Sequence, residues 1–101
     1  MLVIAGRFRL DPAKRAQAVA AARDLMRETR REPGCVSYTF TSDLEDEAVF
    51  HIFEEWESPE ALAAHFATPH MARFQKVVPS LGPTETRVQR YEVSSVAPLR
   101  T

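Results

Sequence analysis

The sequence predicts the α+β class: an antiparallel sheet of four strands with helices packed on one face. Three short segments alternate in the way strands do, and a fourth strand is read near the end of the chain. Three dipeptides, Asp11-Pro12, Ser58-Pro59 and Thr68-Pro69, join a helix-capping side chain to a proline suited to the first helical position. The third strand segment carries large apolar groups on both of its faces, which a strand wet on one side would not do.

Residues 2–10 place Leu2, Ile4, Gly6, Phe8 and Leu10 on one side and Val3, Ala5, Arg7 and Arg9 on the other. Asp11-Pro12 then opens a helix predicted over residues 12–32. Its buried stripe is Val19, Ala22, Leu25, Met26 and Thr29. Arg23, Arg27 and Arg30, with Asp24 and Glu28 among them, read as a solvated face. Pro33-Gly34 stops the helix. A second strand spans about 35–42, with Val36, Tyr38 and Phe40 sharing a face, and a polar turn follows at residues 43–47. The third strand, about 48–56, sets Phe50, Ile52, Glu54 and Trp56 against Val49, His51, Phe53 and Glu55. Ser58-Pro59-Glu60 opens a second helix through His65 and Phe66. Thr68-Pro69 opens a third over 69–79, with Met71, Phe74, Val77 and Val78 inward. Leu81-Gly82-Pro83 reads as a turn and 84–93 as the last strand. Residues 1–93 thus make one domain and 94–101 a tail. The order β-α-β-β-α-α-β is ferredoxin-like. Its helices cover one sheet face, so an isologous homodimer through the open faces is expected.

Bulk properties narrow the function. A chain of 101 residues is one domain, small enough to gain from a partner. A formal net charge of -1 argues against nucleic acid and against an anionic membrane surface. No stretch is long enough to span a bilayer. The opening apolar run is too short for a signal peptide. The single cysteine, Cys35, cannot form an internal disulfide. A cytoplasmic location is the resulting expectation.

Four segments now stand in order: Glu32-Pro33-Gly34-Cys35 with Tyr38; Phe53-Glu54-Glu55-Trp56; Glu60-Ala61-Leu62-Ala63-Ala64-His65; and Thr68-Pro69-His70-Met71. Together, over about residues 1–92, they resemble the antibiotic biosynthesis monooxygenase family, including its quinol-monooxygenase-like members. The resemblance implies a dimeric α+β barrel with a pocket between sheet and helices in each subunit. It further implies oxygenation of phenolic or quinol aromatics without a cofactor, although haem-degrading and sugar-phosphate-isomerising members share the fold.

Oxygenating an aromatic without metal or flavin needs an electron-rich substrate, a base to form its anion, an apolar pocket and a donor for the developing oxyanion. His65, at the end of the second helix beyond Ala61 and Leu62, is the expected base or proton shuttle, against the plainer reading of a half-buried structural histidine. In the resembling family the tryptophan matching Trp56 lines the pocket, and its N–H suits a substrate oxygen. His70, at the start of the third helix, is an auxiliary candidate or a surface residue. Val36, Tyr38, Phe40 and Phe66 are candidates for the apolar wall. Glu54, on a mainly apolar face, needs a partner, with His65, Arg87 or Arg90 in reach. His51 falls on the dimer side. Cys35 has no basic neighbour in sequence and reads as unreactive.

No metal site is expected, because His65 and His70 are five apart with a proline between them and lack the i, i+4 spacing of helical ligand pairs. Haem cleavage is disfavoured. The chain has no asparagine, and Gly6 and Gln75 stand where the haem-degrading members carry an asparagine and a histidine. Two further readings remain. One is a non-catalytic dimeric ligand-binding module. The other is an isomerase of a small polar substrate, whose pocket would draw on Arg7, Arg73, Arg87 or Arg90.

Overall fold

The computed structural model describes residues 1–100. Strands β1 (Leu2–Arg9), β2 (Cys35–Ser42), β3 (Val49–Trp56) and β4 (Thr84–Glu92) form one antiparallel sheet in the order β2-β3-β1-β4. Helices α1 (Arg15–Thr29), α2 (Pro59–Phe66) and α3 (Pro69–Val77) complete the ferredoxin-like fold.

The caps act as the sequence predicts. Ser58 accepts from the Ala61 N–H and Thr68 from the Met71 N–H, each ahead of a proline that has no N–H to leave unsatisfied. The first helix is shorter than expected. Asp11 caps a 3-10 turn over Pro12–Lys14, and the α-helix proper ends at Thr29 rather than at residue 32. Residues 30–32 close in tight turns, with Arg31 N–H on the Glu28 carbonyl and Glu32 N–H on the Thr29 carbonyl. Glu32 is thereby swung off the helix. The third helix also stops early, at Val77, and passes into a 3-10 turn over Val78–Leu81, because Pro79 cannot continue an α-helical ladder. Val77 is consequently part-exposed and not inward. The buried stripe of α1 is Ala18, Ala22, Leu25 and Thr29; Val19 and Met26 flank it.

Two register shifts alter the simple alternation. Cys35 pairs with Trp56 and Ser37 with Glu55, so Val36 is an extra residue and does not share the face of Tyr38 and Phe40. Between Arg7 and Arg9, one residue of β1 opposes two of β4, and Glu85 takes a φ of 49° there. β1 and β4 approach closely at Gly6, where a Cβ would lie 2.1 Å from the Arg87 carbonyl oxygen.

The core has two parts. Leu2, Leu25, Tyr38, Ile52, Trp56 and Leu62 form one cluster, and Leu10, Ala18, Phe50 and Leu81 the other. Ile4, Phe40, Met71 and Phe74 pack against the first and Phe8 against the second, all only part-buried. The incomplete burial of these large side chains reflects a void between the clusters.

Candidate active site

That void is a cavity of about 280 Å³ between the sheet and the helices, near the small end of ligand pockets. Its walls are almost wholly apolar. Phe8 stacks on Phe50 with ring centres 5.9 Å apart, and Phe40 meets Phe8 and Phe74 at 6.1 and 5.8 Å. Phe66 lines it while remaining exposed, which places that ring at the mouth. β4 contributes Thr86 and Val88, both exposed. The titratable side chains lining the cavity are Tyr38, Glu54 and His65.

His65 is buried, 1% exposed, in the last turn of α2. Its ring lies 4.9 Å from that of Trp56 and 5.4 Å from that of Tyr38. Its Nδ1 is 2.8 Å from Glu32 Oε2, and the Nε2 of His70 is 2.7 Å from the same oxygen. An ionised carboxylate only accepts, so both of those ring nitrogens carry protons. Nε2 is therefore the nitrogen that neutral His65 keeps free as a proton acceptor. Glu32 thus holds His65 in one tautomer and one orientation, as the carboxylate of a catalytic triad does. The Thr68 hydroxyl donates to the His65 carbonyl at 2.7 Å and fixes the connection between the two histidine-bearing helices.

Glu54 is buried on the same sheet face. Its partner is neither histidine nor arginine: the Trp56 indole N–H donates to Oε1 at 2.8 Å. Burial pushes the Glu54 carboxyl up to about 7; the Trp56 hydrogen bond opposes this and the charge of Glu32 adds to it. Burial and the nearby Glu54 and Glu32 carboxylates also hold the Tyr38 hydroxyl in its neutral form well beyond the usual range.

The expected site residues therefore separate. Tyr38, Phe40, Glu54, His65 and Phe66 line the cavity. Trp56 does not: it is fully buried behind Glu54 and His65, with its N–H already engaged. His70 is not a surface residue. Its side chain is 12% exposed and holds Glu32 from outside the cavity. Val36 is turned out by the register shift and is 49% exposed. His51 sits on the open face, bonded to Asp43 at 2.9 Å. None of Arg7, Arg73, Arg87 and Arg90 lines the cavity; Arg73 pairs with Asp24. Glu32 is the residue that sequence reasoning overlooked. It stands in the Glu32-Pro33-Gly34-Cys35 segment, and its place beside the helix-stopping Pro33-Gly34 was the available signal.

A model of the antibiotic biosynthesis monooxygenase family matches residues 1–77. The chain belongs to that family. Among its relatives is an uncharacterised protein of Synechocystis, 31% identical over 97% of this chain and 67% of that protein. The YcnE protein of Bacillus subtilis is 27% identical over 73% of this chain and 78% of its own. Solved structures share the antibiotic biosynthesis monooxygenase fold. A Deinococcus radiodurans protein superposes over 100% of both chains with a TM-score of 0.90 at 23% identity. Rv0793 of Mycobacterium tuberculosis superposes over 96% of this chain and 98% of its own, with a TM-score of 0.86 at 26% identity.

Proposed function

We propose that this chain is a cofactor-independent monooxygenase that oxidises a phenolic or quinol aromatic with dioxygen. The observation that carries the reading is the Glu32–His65 hydrogen bond, which leaves one free imidazole nitrogen on a ring that lines an otherwise greasy cavity. An aromatic ring suits the phenylalanine walls, and its hydroxyl suits the end formed by Tyr38, Glu54 and His65. A small polar substrate does not, since no arginine reaches the cavity.

In this reading His65 Nε2 takes the phenolic proton, and the anion passes one electron to dioxygen. The radical pair recombines as a carbon–oxygen bond at a ring carbon that bears hydrogen, opposite the hydroxyl in a phenol and beside one in a quinol. Loss of the ring hydrogen and breakage of the O–O bond then give water and a quinone, which from a quinol is a hydroxyquinone. One oxygen atom enters the product, the other leaves as water, and all four electrons come from the substrate. The proton needed by the departing oxygen returns from His65, or from Glu54, which burial keeps partly protonated at neutral pH.

Oxygen uptake with naphthols and reduced naphthoquinones tests this. The wild-type protein is expected to exceed the autoxidation rate. His65→Ala is expected to lower kcat by about 10²- to 10⁴-fold, the usual span of general base catalysis. No stimulation of uptake, or full activity without His65, refutes the assignment.

The same reading includes a second copy of the chain over the open sheet face. Phe53 and Tyr91 are both about half exposed there, at 47% and 48%. Arg7 lies directly opposite His51 on one side and Arg87 on the other, a cross-strand row of basic side chains. Burying such a face against itself gains apolar contact, and acids such as Glu55 can answer the arginines. Light scattering is expected to give the mass of two chains.

A further inference from the structure

We propose that Glu32, His65 and His70 also form a site for one divalent transition-metal ion of the zinc class, and that its occupancy switches off the base. The second clause rests on the role proposed above for His65; the first does not. Three donor atoms, His65 Nδ1, His70 Nε2 and a Glu32 carboxylate oxygen, lie within 4.8 Å of one another. Two imidazoles and one carboxylate are the donors that borderline ions such as Zn²⁺ prefer, and three protein ligands leave a fourth position for water.

The spacing argument against a metal pair assumes one continuous helix. His65 and His70 instead stand on α2 and α3, and the Thr68-Pro69 connection turns the two helices so that their rings converge on Glu32. Both histidine nitrogens now meet the same carboxylate oxygen at 2.7–2.8 Å. Around a tetrahedral ion with bonds of about 2.0–2.1 Å, neighbouring donors stand roughly 3.4 Å apart. The carboxylate oxygen must draw back by about 0.6 to 0.7 Å, within the swing of a Glu32 side chain that rises from a turn and not from a helix, while the two nitrogens, no more than 4.8 Å apart, close by up to about 1.4 Å through small rotations of their rings. The three side chains are 1%, 12% and 10% exposed for His65, His70 and Glu32, so the outer two leave a narrow way in for an ion and its water.

A metal on His65 Nδ1 displaces the proton held there. In the neutral ring that proton moves to Nε2. The cavity-facing acceptor then becomes a donor, and a bound phenol can no longer be deprotonated by it. The ion is therefore expected to inhibit without entering the cavity.

Calorimetric titration of the chelator-treated full chain with Zn²⁺ tests the site, with Co²⁺ absorption as a second readout of tetrahedral coordination. One equivalent per chain is expected. His70→Ala and Glu32→Gln are each expected to weaken binding about 10-fold or more. His51→Ala, which removes the remaining histidine, is expected to leave it unchanged. Absence of saturable binding, a Co²⁺ spectrum without tetrahedral bands, or binding that survives His70→Ala and Glu32→Gln but is lost with His51→Ala, overturns the site. Circular dichroism melting of each variant separates lost ligation from lost fold. If Zn²⁺ binds but leaves oxygen uptake unchanged in an active enzyme, the inhibitory clause fails while the metal site stands. If no substrate is oxidised, the calorimetry still decides the site.

Discussion

Replacing Glu54 by glutamine is expected to make the protein more stable above neutral pH, although it removes a residue that lines the cavity. The Glu54 carboxyl rises from 4.5 to about 7 on folding, chiefly through burial. Between these values the folded chain holds a proton that the unfolded chain has released. Stability therefore falls as pH rises through that window and is level on either side. Each tenfold change in proton affinity corresponds to about 1.4 kcal/mol, so a rise from 4.5 to about 7 sets a ceiling of about 3 kcal/mol at pH 8.5. Glutamine is neutral throughout, and its carbonyl still accepts from the Trp56 N–H. The ionic assistance of that bond is already contained in the value of about 7, since the Trp56 hydrogen bond opposes the rise. The net gain is therefore about 3 kcal/mol at pH 8.5 and close to zero at pH 4. Urea unfolding followed by the fluorescence of Trp56, the only tryptophan, measures both. Parallel stability curves for the two proteins from pH 4 to 8.5 would refute the claim that Glu54 is held against its charge by burial.

Other perturbations have equally definite outcomes. Trp56→Phe removes the donor that Glu54 accepts from, so its cost is expected to be larger at pH 8.5 than at pH 4 by about 1 kcal/mol or more, read by circular dichroism melting at the two pH values. Gly6→Ala would drive a methyl group to 2.1 Å from the Arg87 carbonyl; hydrogen exchange is expected to show loss of protection along β1 and β4, and melting a destabilisation of about 3 kcal/mol. Burial, with Glu32 and Glu54 adding, pushes the Cys35 thiol from 9.0 up to about 11, so its reaction with a thiol reagent at pH 8 is expected to be about 100-fold slower than that of free cysteine. A rate like that of free cysteine would show the thiol to be better solvated than its surroundings imply.

The elements that were legible from sequence share one property: each is written into neighbouring residues. Asp11, Ser58 and Thr68 accept from the backbone two or three positions on, and each precedes its proline, so the helix starts need no knowledge of the rest of the chain. The alternation of Phe50, Ile52, Glu54 and Trp56 is likewise local, and it identified the covered face of β3 correctly. The residues that were misplaced depend on contacts that no local pattern carries. Val36 obeys the alternation of β2, yet an extra residue opposite Trp56 and Glu55 turns it out. Glu32 is more instructive. Its partners lie 33 and 38 positions away, and it reaches them only because α1 ends at Thr29 instead of running on to Pro33. A carboxylate inside the last turn of a helix would have met its own carbonyls, an arrangement that the negative end of the helix dipole disfavours. The early stop thus does two things at once: it takes the acid off the helix end, and it supplies the acceptor that fixes the tautomer of His65. A rule that follows for reading similar chains is to examine the acid beside a helix-stopping Pro-Gly as closely as the histidines. The histidine keeps one ring nitrogen free, and the acid decides which nitrogen that is.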